Sequence, residues 1–340
     1  MRAVRLVGHG GFDQLVLADD CPVPNPQPDE VLIRVAASSV NNTDINTRVG
    51  WYSKSQSVEQ TSWSGAEMAF PRIQGADCCG RIVAVGSAVD PTRIGERVLV
   101  RTMQDPIVVN GTSIPVTLGS EIDGGFAQFV AVRSSEAFAI NSPLTDVELA
   151  TFPCAYSTAE GLLQRAGVGN EDVLITGASG GVGSALVQLA VLRGARVTAI
   201  ASERHHDAIR KLGARTLIAR ETSLTEELGD SSVDVVIDVV GGQGFPALLR
   251  VLAPHGRYAT SGAVGGPNVD LDLRDLYLKD LTLIGCTFNP RSVFENLITS
   301  IENGQISPVV AATFPLPELV QAQEKFLAKD FVGKVAIRVP

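Results

Sequence analysis

The stretch EDVLITGASGGVGSALVQLA, Glu171–Ala190, runs from an apolar strand through a glycine-rich turn into a helix. Glycines at such a turn let the chain reverse tightly and bring backbone N–H groups close to a pyrophosphate at the positive end of the helix. Gly180 and Gly183 fall on the second and third glycines of a G-x-G-x-x-G spacing, while Ala178 stands in the first. Strand before, helix after and a second strand, ARVTAIA (Ala195–Ala201), about twenty residues on make the turn a dinucleotide site rather than a plain loop. Gly180, Gly181, Val182 and Gly183 are its expected contacts.

The end of that second strand indicates which dinucleotide. An Asp or Glu there would bond a ribose 2′-hydroxyl and repel a 2′-phosphate. The strand instead ends in Ala201-Ser202, followed by Glu203, Arg204, His205 and His206. Ser202 can donate a hydrogen bond, Arg204 can pair with a phosphate, and His205 lies beside them. This favours NADPH, with Glu203 turned to solvent.

Further units follow: helix HHDAIRKLGA, strand VDVVIDVV, helix FPALLRVLAP and strands GRYATSG and LTLIGCT. Repeated strand–helix units with continuously apolar strands predict a parallel sheet covered on both faces. Residues before about 130 read differently. VLIRVAASSV (Val31–Val40), GRIVAVG, ERVLVRT and GGFAQFVAV are short strands punctuated by Gly and Pro, which predicts a β-rich domain. Trp51–Arg72 is polar and aperiodic and reads as a long surface loop, a candidate lid. Its Trp51, Tyr52, Trp63 and Phe70 would either cover a bulky substrate or anchor the loop. Two amphipathic helices (292–303 and 317–329) and a strand (333–339) close the chain.

The 340 residues carry 28 Lys+Arg against 37 Asp+Glu, a net charge of −9 that argues against a nucleic-acid surface. Hydrophobic residues make up 45%, enough for a sizeable core. No apolar run suits a membrane helix, no signal peptide is apparent, and a cytoplasmic location is the expectation. Five scattered cysteines (Cys21, Cys78, Cys79, Cys154, Cys286) and four histidines without a paired spacing give no disulfide framework and no zinc-binding motif.

The GASGGVG turn, the helical VQLA, VIDVVGG (Val236–Gly242), the opening GGFDQLVL (Gly10–Leu17), GADCCGRIVAVG and the closing Val332–Val335 together resemble the medium-chain dehydrogenase/reductase superfamily, in its zinc-free quinone oxidoreductase-like branch. The resemblance implies an α/β chain: a GroES-like β-rich catalytic domain (1–131 and 289–340) around a Rossmann doubly wound parallel-sheet domain (132–288). Cofactor and substrate would share the cleft between them, and a homodimer would form along LTLIGCT. It places the zinc-ligand positions of other members on Asn41, on Ala76 and Asp77, and on Cys154, of which only the last keeps its cysteine. Arg101–Gly125 lacks the cysteines of a structural zinc segment, so no metal is expected. Cys154 has no histidine nearby and reads as an inert thiol.

In VNNTDINTRVGWY the resemblance matches Asn41, Asp44, Arg48 and Tyr52, with Asn46 replacing a second tyrosine. Asn41 would lie near the nicotinamide or a substrate oxygen, Tyr52 would donate a hydrogen bond or line the pocket, and Asp44 would serve there or pair with Arg48. Thr158 would line the nicotinamide site, and Ser261, Gly262, Thr287 and Phe288 would hold its ribose and carboxamide. Without a Lewis acid, hydride transfer to a quinone or an α,β-unsaturated carbonyl is the expected chemistry. Alternatives are a zinc-independent alcohol dehydrogenase or carbonyl reductase, and an NADPH-binding protein without catalysis.

Overall fold

The computed structural model describes residues 1–52, 62–64, 67–109 and 111–340. The chain divides into two compact units: Met1–Cys154 with Ile298–Asp330 and Lys334–Pro340, and Ala155–Leu297 with Phe331–Gly333.

The first unit is built on a seven-stranded sheet. Its central strand, Glu30–Ser39, alternates Val31, Ile33 and Val35 into the core and pairs antiparallel with Cys79–Val85, Phe129–Arg133 and Lys334–Arg338. A period of two places these β-branched residues on one buried face. Lys334–Arg338 in turn pairs in parallel with Val310–Pro315. Smaller sheets flank it: Leu15–Ala18, Ala3–Leu6 and Arg72–Ile73, and the hairpin Met103–Val109 with Thr112–Thr117.

Both boundaries of the second unit differ from those read in the sequence, 132 and 288. Residues 132–154 cluster with the first unit, because Ala137–Ala139 pairs with the strand Arg97–Val100. The Arg97 guanidinium also holds Ser142 O at 3.0 Å, Leu144 O at 2.6 Å and Asp146 Oδ1 at 2.6 Å. At the other end, the buried Val293, Phe294 and Leu297 of helix Arg291–Glu302 cluster with the second unit.

The second unit holds six parallel strands in the order Thr216–Ile218, Arg196–Ile200, Asp172–Ile175, Val233–Asp238, Leu252–Thr260, Thr282–Gly285. In chain order within this sheet that is 3-2-1-4-5-6, the Rossmann arrangement, whose order reverses beside Asp172–Ile175. Strand interiors such as Val173, Leu174, Ile175, Val235, Val236 and Ile237 are fully buried. That is why they read as apolar runs rather than as alternation.

Candidate functional site

In the second unit the glycine-rich turn follows Asp172–Ile175, and the helix Gly181–Leu192 starts after Gly180. The tight reversal is made by Gly177, at φ +60°, and not at the Ala178 position that the spacing marked. Ala178 is fully buried. A Cβ on Gly183 would lie 2.1 Å from Gly177 O and 2.6 Å from Ala178 Cα, so only glycine lets the helix start this close to the strand end. Gly180 is different. It is exposed, its φ of −74° suits any residue, and the nearest atom to an added Cβ is 3.5 Å away. Nothing in the protein demands glycine there, and the space left open is what a pyrophosphate needs at a helix start whose first N–H groups lack intrahelical partners. The turn therefore fits a dinucleotide.

The other expected contacts, Thr158 apart, follow the carboxyl ends of the parallel strands, where such sheets bind ligands. Ser202 is half-buried, Arg204 exposed and His205 buried just past Arg196–Ile200, and Arg204 Nε lies 3.2 Å from His205 Nε2. Ser261 and Gly262 follow Leu252–Thr260; Thr287 and Phe288 follow Thr282–Gly285 and are exposed. Thr158 sits within helix Pro153–Arg165. Sequence reasoning missed Arg220. It comes just after the edge strand Thr216–Ile218, is exposed, and extends Nη2 to 3.4 Å from Ser179 Oγ in the glycine-rich turn. Only its place after a three-residue strand could have signalled it. Asp238 was also missed. Fully buried at the end of its strand, it accepts from Thr176 Oγ1 and Tyr258 Oη, both at 2.5 Å, and from the N–H of Val240 and Gly241. These bonds fix the turn behind Gly177.

In the first unit a short helix, Asn42–Arg48, carries the other candidates. Asn41 caps it, and Asp44, in its first turn, accepts from Asn41 N at 2.8 Å, as in a capping box. The other Asp44 oxygen accepts from Gly75 N at 3.2 Å and Ala76 N at 3.1 Å. Burial pushes the Asp44 pKa from 3.8 up to about 7, against the lowering effect of its backbone donors. The expected Asp44–Arg48 ion pair does not form. Arg48 Nη1 donates to Gly10 O at 2.7 Å, its Nε donates to Gln323 Oε1 at 3.0 Å, and its guanidinium stacks 4.5 Å from the Phe12 ring centre. Asp44 faces backbone N–H groups and Arg48 a different neighbourhood, so the four-residue spacing misleads.

Tyr52 Oη donates to Thr43 Oγ1 at 3.3 Å and accepts from Asn46 Nδ2 at 3.5 Å. Burial raises its pKa, so the phenol stays a donor near neutral pH. Asn46 thus supports the tyrosine that is present. Backbone N–H groups of Trp63 and Ser64 bond Ser120 Oγ and Glu121 Oε1 at 2.9 and 2.8 Å, which anchors that part of the long loop. The centre of the candidate lid, 53–61 and 65–66, lies outside the described residues.

Asn41, Asp77 and Cys154 come together in this unit. Asp77 is fully buried; Oδ1 accepts from Cys154 N at 2.7 Å, and Oδ2 accepts from Asn41 Nδ2 at 2.7 Å and from Ser39 Oγ. The second amide hydrogen of Asn41 goes to Ser39 O at 3.2 Å, and Asn41 Oδ1 accepts from Lys334 Nζ. Both amide hydrogens are turned into the protein, which leaves Asn41 none for the substrate oxygen it is expected to lie near. Burial, with Asp77 next, pushes the Cys154 thiol far above its ordinary value, consistent with an inert thiol. Catalytic zinc takes three protein donors and keeps an open position. Here one thiol, one carboxylate engaged at both oxygens, an amide and an ammonium do not fit that ion. Among the described residues no group of three or more His, Cys, Asp or Glu side chains is placed to hold a metal.

Comparison with known proteins is consistent with both units. The alcohol dehydrogenase GroES-like domain family matches residues 27–142, and the zinc-binding dehydrogenase family matches 181–303. The quinone oxidoreductase of Rattus norvegicus is 29% identical over 99% of this chain and 97% of its own. The acryloyl-coenzyme A reductase of Metallosphaera sedula is 30% identical over 99% of each chain. Among solved structures, a candidate alcohol dehydrogenase from Sinorhizobium meliloti 1021 is 44% identical with a TM-score of 0.93, over 100% of this chain and 97% of that one.

Proposed function

The chain belongs to the medium-chain dehydrogenase/reductase superfamily, and on that premise we propose that it is an NADPH-dependent reductase of quinones or α,β-unsaturated carbonyls, working without a metal. The observation that carries the metal-free reading is the donor set around Asp77, where an ammonium and an amide stand among the groups that would otherwise face a cation. Alcohol oxidation depends on lowering a hydroxyl pKa, which a Lewis acid supplies. Conjugate reduction instead adds hydride to carbon and leaves negative charge on an oxygen, which hydrogen-bond donors can stabilise while water supplies the proton.

Bound NADPH would supply the hydride. Gly180–Gly183 would take its pyrophosphate, and Ser202, Arg204, His205 and Arg220 its adenosine end, with two guanidiniums favouring a 2′-phosphate. Thr158, Ser261, Gly262, Thr287 and Phe288 would serve the nicotinamide end. Tyr52, protonated near neutral pH, is assigned to the substrate oxygen, toward which its one hydroxyl hydrogen would turn from Thr43 Oγ1 while Asn46 Nδ2 still donates to the phenol oxygen. Asn41 and Asp44 hold the helix that presents it. A homodimer would form along the edge strand Thr282–Gly285, where Leu283, Val264, Leu273, Tyr277 and Leu278 are exposed. No described helix is long and apolar enough to cross a membrane.

Purified protein mixed with NADPH and a panel of quinones and enones tests the reading by loss of the reduced-nicotinamide absorbance. Turnover with at least one acceptor class, in protein free of metal by elemental analysis, is expected. Tight NADPH binding with no turnover on any acceptor would instead mark a binding protein, and stoichiometric zinc would overturn the metal-free part.

A further inference from the structure

We propose that the Lys334 ammonium is the built-in cation of this site, standing where the superfamily's metal-dependent members keep an ion and positioning Asn41 and Asp77 around itself. The proposal rests on the metal-free reading above and asks what took the ion's place.

An ammonium has three hydrogens to give. Lys334 Nζ meets three oxygens: Asn41 Oδ1, Val40 O at 3.1 Å and Asp77 Oδ2 at 3.2 Å. Lys334 is 2% exposed and Asp77 fully buried, so water satisfies neither. A buried charge without a partner costs several kcal/mol, and this pair supplies each charge with its opposite and fills every donor of the ammonium. The positions that resemble zinc ligands surround it: Asn41 accepts from it, Asp77 pairs with it, and Cys154 joins through its N–H to the other Asp77 oxygen.

Asn41 and Lys334 are coupled through this contact. With asparagine rather than cysteine at position 41, a neutral oxygen faces the centre, suited to a hydrogen-bond donor and poor at holding a soft divalent ion. With lysine at 334, that donor arrives carrying a single positive charge fixed to the chain. The ammonium dictates which way the Asn41 amide lies, its oxygen toward Nζ and its nitrogen toward Asp77, and so sets the cap of the helix Asn42–Arg48. Lys334 is thus a positioning residue. It acts on the reaction through Asn41 and the helix that carries Thr43 and Asn46, the partners of Tyr52.

The deciding experiment uses Co²⁺ alone as probe on the full chain. Asn41→Cys adds a second thiol beside Cys154 and Asp77; combined with Lys334→Met it also removes the ammonium while keeping a stem of similar length. The double variant is expected to take up stoichiometric Co²⁺, with thiolate-to-cobalt charge-transfer and visible d–d absorption. The single variant Asn41→Cys, with Lys334 in place, is expected to bind at least about tenfold more weakly. Equal cobalt affinity in the two would overturn the proposal. So would a double variant that matches the parent's circular dichroism and binds none.

A kinetic arm reads the positioning role. Lys334→Met should lower kcat toward the acceptor by about tenfold with NADPH Kd unchanged, and Lys334→Arg should recover part of it. A parent-like kcat in Lys334→Met would refute positioning. Should the parent itself turn over no acceptor, the proposed function fails while the cobalt comparison still decides the place of Lys334.

Discussion

Substituting alanine at two glycines three residues apart, Gly180 and Gly183, should produce opposite failures. At Gly183 the added carbon would lie 2.1 Å from Gly177 O and 2.6 Å from Ala178 Cα, both backbone atoms of the preceding turn. The helix start must retreat by about an ångström to restore an ordinary contact, and forced packing of this kind costs about 3 kcal/mol. At Gly180 the nearest atom is 3.5 Å away and the backbone, φ −74° and ψ 173°, suits alanine. The expected loss there is at most about 1 kcal/mol, from the poorer cap. The dinucleotide reverses the order of importance. A methyl at Gly180 fills the open cradle and denies a phosphate one charge-assisted bond worth about 1.5–3 kcal/mol, weakening NADPH by roughly 10–100-fold. Urea unfolding measures the first quantity and NADPH titration followed by fluorescence the second. Gly180→Ala that unfolds and binds NADPH like the parent would refute the assignment of this turn to the pyrophosphate.

Arg204→Ala and Arg220→Ala should each weaken NADPH by about tenfold and leave NADH nearly unchanged; an unaltered NADPH-to-NADH affinity ratio in both would show that neither reads a 2′-phosphate. Asp44 carries a pH signature. Its pKa in the folded chain, about 7 against 3.8, means the native state holds a proton the unfolded chain lacks between those values. Stability from this group is therefore greatest below about pH 4 and falls toward pH 7, by about 4 kcal/mol. Asp44→Asn should flatten that slope in urea melts across the same range, and parallel slopes in parent and variant would contradict it. Arg48→Met strands Gly10 O and Gln323 Oε1 and loses the stacking on Phe12, an expected cost of about 3 kcal/mol in the same melts. A change under about 0.5 kcal/mol, the range of ordinary surface substitutions, would show these bonds to be incidental.

The dinucleotide half was legible because its strands are buried on both faces, so EDVLITG and VDVVIDVV appear as unbroken apolar runs bounded by glycine. The turn itself was read one residue out of place, since Gly177 supplies the positive φ that the spacing sought at Ala178. Nothing in the sequence marks the helix Asn42–Arg48. NTDINTR is poor in strong helix formers, and what holds it is the Asn41–Asp44 cap together with bonds from Asp44 and Arg48 to remote segments. Asp44 and Arg48, four apart, suggested a local pair, yet Asp44 meets the backbone at Gly75 and Ala76. In the sequence Lys334 is only one residue of a closing motif. Its partners lie 293 and 257 residues earlier in the chain, and no periodicity joins such positions.

The strand Lys334–Arg338 lies between Glu30–Ser39 and Val310–Pro315 and is an interior member of its sheet. During synthesis, the earlier of these neighbours emerges from the ribosome about three hundred residues before it, and contacts so distant close slowly. Until residue 338 leaves the exit tunnel, Glu30–Ser39 presents an unpaired edge along the register that Ala336, Ile337 and Arg338 will fill. The nascent chain thus carries this edge unpaired until Lys334–Arg338 is made. The same strand delivers Lys334, so Asp77 gains its counter-charge only when Lys334–Arg338 has joined the sheet.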